Sequence, residues 1–344
     1  MLADHVRCEI YRLALSAWVK PGDVILDVGA GTGILSLFAV QSGAAKAYAV
    51  ERTGIVKLTN QLISINGVED RIEVIRGDME TAQLPEKVDL IVSEWMGGYG
   101  VDEGFLPAVL IARDKWLKPD GKILPGHVTA WMAPAYDSKL EGELNFWRNR
   151  PYKLDLSLVA DFTVNELFWS RHHITGDSLL ATPQQMWSTD AYTCSITEAR
   201  SPFKALLSFS ITRKGFFNVL ATWFRADFGK GILLTNAPDA DKTHWGRFIF
   251  PLNRTIELQE GEIVSVMFAC KPRDGTHCSN RWSIRIGNGD CKEDNTGSQK
   301  DPVRPVALKH GNKGSDKRNN ANAGKKCHDH FRFRHSFLGG WSSA

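Results

Sequence analysis

Apolar positions along the first third of this chain follow two alternating periods. Residues 4–18 space Val6, Ile10, Leu13 and Leu15 at roughly helical intervals, and Lys20-Pro21-Gly22-Asp23 ends the run. Short continuous apolar runs at 24–28, 47–50, 72–75 and 88–92 read as strands buried on both faces, as in a parallel sheet. Between them, 34–40 and 51–65 carry helix-like spacing, the second stopped by Asn66-Gly67. This alternation predicts a doubly wound α/β domain over residues 1–125. Beyond it the period falls to two. Residues 207–212, 263–270 and 282–286 alternate apolar with polar between short turns, which predicts an antiparallel β-barrel or sandwich over 126–290.

Two stretches break the pattern. Residues 152–169 form a connection too long for a turn, yet carry Leu154, Leu156, Leu158, Phe162, Leu167, Phe168 and Trp169, side chains that need a cover. From Lys292 the composition turns polar, and residues 291–344 are expected to be a disordered tail. Cys327, His328, His330 and His335 fit no common zinc spacing, so no metal site is expected.

Composition narrows the classes further. With 344 residues, 43% of them apolar, the chain can bury a core in each of two domains. A net charge of +3 is nearly balanced and gives no argument for a nucleic-acid or membrane surface. Six cysteines contain no Cys-x-x-Cys pair, which fits a reducing compartment. The longest apolar stretches, such as 216–224, are too short and interrupted to span a bilayer. A soluble protein of the cytoplasm or nucleus is expected.

The chemistry concentrates in two motifs. Glu94 closes the apolar run 88–92 and Glu103 follows nine residues later, across the glycine-rich Met96-Gly97-Gly98-Tyr99-Gly100. Glu94 therefore sits at the carboxyl end of a parallel strand, where open α/β sheets bind their ligands. Two acids facing one pocket repel unless a planar cation with several N–H donors lies between them, and a guanidinium is such a cation. The second motif is Asp27-Val28-Gly29-Ala30-Gly31-Thr32-Gly33 between strand and helix, with Glu51 ending the next strand. Its glycines allow close backbone approach to a ligand, and a strand-end carboxylate can accept both ribose hydroxyls. The spacing departs from Gly-x-Gly-x-x-Gly and resembles an S-adenosylmethionine site.

On these motifs, with Ala112-Arg113-Asp114-Lys115-Trp116-Leu117-Lys118-Pro119-Asp120-Gly121 and Thr243-His244-Trp245, the chain resembles a protein arginine methyltransferase of the short, single-core kind. The resemblance runs from Met1 to about Gly289. It implies an S-adenosylmethionine-binding Rossmann-like domain, a β-barrel with a dimerisation arm at about 150–175, and a cis proline at Pro125 between them. It also implies Glu94, Glu103, His244 and Asp4 as catalytic residues. Arg7, Asp27, Gly29, Gly31, Gly33, Glu51, Met79 and Glu80 match cofactor positions, and Met1, Met96 and Trp245 match the substrate pocket. The implied partners are a second copy of the chain and proteins with accessible arginines, in Arg/Gly-rich segments or histone tails. The implied products are mono- and asymmetric dimethylarginine, with Phe105 able to narrow the pocket to one methyl.

Two other readings compete: a methyltransferase for small molecules or nucleic acid, and a dimeric scaffold of the same fold without activity. Against the first, the sequence after the strand is Ser93-Glu94-Trp95-Met96 rather than Asp/Asn-Pro-Pro-Tyr. The family departs from this chain in three places. A tyrosine usually stands where Gly98 does, a methionine where Phe105 does, and an aromatic helix that closes over the cofactor would lie upstream of Met1, so a partly open cofactor is expected.

Overall fold

The computed structural model describes residues 1–165, 168, 171–273 and 276–287, with the backbone of 330–334. Helix α1 (His5–Trp18) leads into five strands: β1 (Val24–Val28), β2 (Lys46–Glu51), β3 (Ile72–Arg76), β4 (Val88–Val92) and β5 (Leu117–Leu124). They pair in parallel in the order β3-β2-β1-β4-β5. The connecting helices are α2 (Ile34–Gln41), α3 (Val56–Ile65) and α4 (Leu106–Trp116). The strand order reverses between β1 and β4, which opens a crevice at their carboxyl ends. β1 is buried along its whole length, as its unbroken Val-Ile-Leu-Asp-Val run requires.

One element begins later than its periodicity predicts. The helix expected over 51–65 starts at Val56, because the Glu51 carboxylate accepts the Thr53 N–H at 2.7 Å and holds 52–55 as a turn. The Leu124–Pro125 peptide is cis.

The second half contains β6 (His127–Ala135), α5 (Ser138–Arg148), α6 (Ser157–Thr163), β7 (Gln184–Asp190), α7 (Ile196–Arg200), β8 (Phe203–Ser210), β9 (Gly215–Asp227), β10 (Leu233–Thr235), β11 (Phe248–Leu258), β12 (Ile263–Arg273), β13 (Thr276–Ile286) and β14 (His330–Arg334). One antiparallel sheet runs β10-β9-β6-β7 with β11 also on β9, and the other runs β14-β13-β12-β8. Their facing sides enclose one barrel-like core built on Phe209, Phe217, Phe250, Phe268 and Trp282. That core also takes in Tyr99 and Val101 from the cofactor half.

The apolar connection projects from this barrel. Asp137 caps α5 through the N–H groups of Lys139 and Leu140, at 2.9 and 3.0 Å, and α6 follows after one helical turn. Tyr152, Leu158 and Phe162 stay 81%, 70% and 73% exposed. Leu167 and Trp169 of that connection lie outside the described residues.

Most of the tail, with its cysteine and histidine side chains, also lies outside them. Within it, His330–Arg334 forms β14, antiparallel to β13. The period-two sequence His-Phe-Arg-Phe-Arg suits an open sheet edge, whose unpaired N–H and C=O groups accept another strand. Among the described residues, no helix is long and apolar enough to cross a membrane.

Candidate active site

The carboxyl ends of β1, β2, β3 and β4 converge on one cleft. After β1 the backbone turns through Gly29, Gly31 and Gly33, with φ of 72°, 53° and 79°, a left-handed region that glycine enters at little cost. A Cβ on Gly29 would lie 2.7 Å from Phe105, so the turn also depends on glycine for space. Glu51 fixes this turn, accepting the Gly31 N–H at 3.0 Å through one oxygen while the other takes Thr53. Both oxygens keep acceptor capacity for a ribose diol. The loop after β3 starts beside Glu51, with the Gly77 N–H on the Glu51 carbonyl at 3.1 Å, and leads to buried Met79 and exposed Glu80.

Asp27, expected among the cofactor residues, lies near the end of β1. It is fully buried and its Oδ2 accepts the Ser36 hydroxyl at 2.8 Å and the Ser36 N–H at 3.0 Å. It ties the end of β1 to α2, and its Oδ1 is buried without a hydrogen-bond partner. Burial pushes its carboxyl up to about 6, against the two Ser36 bonds.

The acidic loop is assembled from three directions. Tyr11 of α1 donates to the Ser93 carbonyl at 3.0 Å, and Ser93 donates to the Val28 carbonyl at 2.8 Å, so the end of β4 is locked to both α1 and β1. Arg7, on the same helix, places its guanidinium 3.7 Å from Glu94. From the barrel side comes the Thr243-His244-Trp245 loop. The Asp4 carboxylate caps α1 through the Arg7 N–H at 3.0 Å and takes the His244 N–H at 2.8 Å and Nδ1 at 2.7 Å. Trp245 donates through Nε1 to the Met96 carbonyl at 3.1 Å.

Met96, expected in the pocket, is fully buried and packs against Trp245 and Tyr11. Met1 is 62% exposed at the approach to α1, and its carbonyl takes the Asp4 N–H at 3.0 Å. Among the described residues, no group of three or more His, Cys, Asp or Glu is arranged to hold a metal.

Burial dominates the electrostatics. It drives Glu94 up to about 7 against the pull of Arg7. Glu103 is driven upward too, by the protein around it and then by Asp102 and Glu94, although its side chain opens onto solvent, which tempers the effect. Burial also lowers His244, against its bond to Asp4, so the imidazole is neutral at pH 7. At Asp4 burial acts upward, but the N–H groups of Arg7 and His244 and the His244 ring outweigh it and hold the carboxylate below its usual range. Glu94 Oε1 and Arg7 Nε are buried without a hydrogen-bond partner, as are Asp27 Oδ1 and Thr243 Oγ1, so the site presents spare acceptors and donors.

Comparison with known proteins agrees with this geometry. Residues 127–286 match the family model described as the arginine methyltransferase oligomerization subdomain, and residues 8–97 match that of ribosomal protein L11 methyltransferase. Protein arginine N-methyltransferase 6 of Danio rerio is 38% identical over 280 residues, which cover 76% of this chain and 79% of the relative. The chain belongs to the protein arginine N-methyltransferases. The Xenopus laevis protein arginine N-methyltransferase 6 is 34% identical, over 84% of this chain and 88% of its own. Among solved structures, protein arginine methyltransferase 10 of Arabidopsis thaliana, in a uniquely open conformation, aligns with a TM-score of 0.72 at 28% identity, covering 83% of this chain and 91% of that one. The Trypanosoma brucei PRMT1 enzyme-prozyme heterotetrameric complex with AdoHcy gives 0.77 at 24% identity, over 98% and 96% of the two chains, a likeness of fold.

Within this arginine methyltransferase, sequence reasoning missed three residues around the acidic loop. Asp102, buried, accepts the N–H groups of Gly98 and Tyr99 at 3.1 and 3.0 Å; an aspartate three and four residues after those positions is a turn signal. Asn236, buried, donates to the Gly98 carbonyl at 2.7 Å and the Gly246 carbonyl at 2.6 Å while accepting the Phe224 N–H at 2.8 Å. Nothing local announces it. Phe248 explains Gly98: a Cβ there would lie 1.5 Å from the Phe248 ring, so this ring takes the space that a side chain at 98 would need.

Two outcomes follow from this arrangement. Asn236→Leu keeps the branched shape but strands two buried carbonyls and one N–H, so urea unfolding should show a loss of at least ~3 kcal/mol; a loss under 1 kcal/mol would mean that water replaces the clamp. The raised Glu94 acts with a definite sign. The folded state retains a proton that the unfolded chain has lost, so stability falls as pH rises from about 4.5 to about 7, by ~3 kcal/mol from this group. Glu94→Gln should flatten the decline between about pH 4.5 and about pH 7 in calorimetric unfolding, whereas an unchanged slope would assign it to other groups.

Proposed function

We propose that Glu94 and Glu103 grip the guanidinium of a protein arginine while one of its nitrogens receives a methyl group. The reading rests on one observation: two carboxyl groups on one short loop at the carboxyl end of β4, Glu94 with a buried oxygen short of a donor. A guanidinium supplies the missing N–H groups and the positive charge together. The family performs this transfer with S-adenosylmethionine, whose sulfonium supplies the methyl. The glycine turn and Glu51 fit its adenosine, and Arg7, with its spare Nε, fits its carboxylate. Met79 and Glu80 would flank the adenine.

Each residue then has a defined task. Guanidinium is a poor nucleophile because its lone pairs are delocalised. Glu94, accepting from the nitrogens that do not react, draws positive charge toward itself and leaves electron density on the target nitrogen. Glu103 and the neutral His244, oriented by Asp4, are the groups able to take the released proton. Trp245 closes the pocket beside them, stacked at 4.0 Å on His244. Holding both reactants in line is worth ~7–11 kcal/mol of the barrier.

The products expected are mono- and asymmetric dimethylarginine. Phe105 packs directly on Gly29, between the glycine turn and the acidic loop, and its bulk favours stopping at the first methyl. Suitable substrates are Arg/Gly-rich segments or histone tails, met in the cytoplasm or nucleus. The domain division is 1–125 for the cofactor, 126–290 for the barrel and 291–344 for the tail.

Labelled cofactor with an Arg/Gly-rich peptide and its lysine copy tests the activity: label should enter the arginine peptide alone, and mass spectrometry should find no symmetric dimethylarginine. Glu94→Gln should lower transfer at least ~100-fold while leaving cofactor affinity intact. Loss of both together would make Glu94 structural. The oligomerization match and the bare apolar arm support a homodimer, the arm of one copy lying on the cofactor half of the other. Replacing Leu158 and Phe162 with lysine should shift the sedimentation mass to that of a monomer; an unshifted mass would move the interface elsewhere.

A further inference from the structure

The outer face of one barrel sheet is cationic. Strands β8, β12 and β13 contain no aspartate or glutamate, and the sequence of β14 beside them adds two arginines and no acid. Every second residue of β8 and β12 turns into the barrel core, so the residues between form the outer face. On that face the register aligns Lys204 with Ala269 and Arg281 in one row and Leu206 with Met267 and Ser283 in the next. Lys271 and Arg285 stand in the rows before and after these two. None of the four cations is ion-paired among the described residues. Acids return only in the turns, where Glu262 takes the Gln259 N–H at 2.7 Å. In the middle of the face lie two apolar side chains directly opposite each other, Leu206 at 81% and Met267 at 44% exposed.

We infer that this face docks an acidic segment of the protein whose arginine is methylated, an anchor apart from the cleft. The inference rests on the arginine-transfer reading of that cleft. Charge complementarity sets the sign, since cations without partners on three adjacent strands attract carboxylates. The apolar pair sets the class: Leu206 and Met267 offer an apolar residue of such a segment a place to bury, with methionine adapting to its shape. A nucleic acid would find phosphate contacts but no ring on which to stack a base, because the outward positions of the three strands carry no aromatic residue. The face also begins at the cleft. The Cys278 N–H, near the start of β13, is bonded to the Asp102 carbonyl of the acidic loop at 2.9 Å. Arg281 and Arg285 follow along the same strand, about 10 and 24 Å further on. A substrate with a basic target and an acidic flank therefore meets carboxyls at its arginine and cations beyond them.

The test uses the full chain and four probes: an Arg/Gly-rich peptide, an Asp/Glu-rich peptide with one central leucine, the two joined by a glycine-serine spacer, and a single-stranded oligouridine. In fluorescence anisotropy the acidic peptide should bind the wild type, more weakly as salt rises. Arg281→Ser with Arg285→Ser should weaken that binding about tenfold, and Leu206→Thr with Met267→Thr should weaken it too. In methyl transfer the joined peptide should show a KM about tenfold below that of the Arg/Gly-rich peptide at equal kcat. The arginine variant should lose that advantage while handling the short peptide as the wild type does. Lys204→Ser with Lys271→Ser, at exposed positions, replaces the arginine pair if that variant does not unfold cooperatively. Acidic-peptide binding that the variants leave unchanged, or a joined peptide without a KM advantage, overturns the inference. So does tighter binding of the oligouridine at the same residues, or a sedimentation mass that falls in the variants without peptide, which would give the face to a second copy. No transfer to either arginine peptide, with the acidic peptide still held through Arg281 and Arg285, would instead overturn the reading of the cleft and leave the acidic docking standing.

Discussion

The acidic loop is fastened into two hydrophobic cores at once, and the site depends on that. Trp95 and Met96, just after Glu94, are buried in the core of the cofactor half, while Tyr99 and Val101, just before Glu103, are buried in the barrel. Tyr99 is the deepest point. It lies edge-on to Phe248, Phe250 and Phe268, with centroids 5.7–6.2 Å away, and its hydroxyl donates to Asn280 at 2.8 Å. Two carboxyls that would separate if the loop were free are thereby held in register by packing on either side. The distance between them is a property of how the halves dock.

Holding acids close together is unfavourable for folding, and the chain meets that cost with cations and dipoles around the edge. Arg7 faces Glu94, backbone N–H groups take Asp102, and Asp4 is satisfied by α1 and His244. The remaining imbalance lies on Glu94 and Glu103 themselves, which hold protons more tightly than ordinary glutamates. Perturbed carboxyls at the carboxyl ends of parallel strands mark a functional site in physical terms, since structure alone gains nothing from them.

The sequence carried the local features well. Strand, glycine turn and helix are contiguous, and a buried parallel strand such as 88–92 is legible from five consecutive residues, so Glu94, Glu51 and the glycines could be placed by eye. The helix after Glu51 was read too early because side-chain capture of Thr53 leaves no mark in the apolar period. Asp27 and Met96 belong to these motifs, and both are fully buried, which spacing alone does not reveal. Asn236 and Phe248 were invisible for a different reason. Each acts on Gly98 from well over a hundred residues away, and such contacts exist only once the barrel closes. Family resemblance supplied Asp4 and His244, whose pairing no spacing rule connects.

The clamp at Asn236 and the Asp4–His244 bond carry one more consequence, for the order in which the protein is made. Synthesis runs from the amino end, and domains emerging first tend to fold first. The glycine turn, Glu51 and both glutamates leave the ribosome long before residues 236–248 are translated. A half-made chain therefore has its methyl-donor half formed while its acid loop lacks the barrel pocket for Tyr99 and the histidine for Asp4. Such a chain holds its cofactor half ready and lacks the far wall of its cleft until its last strands arrive.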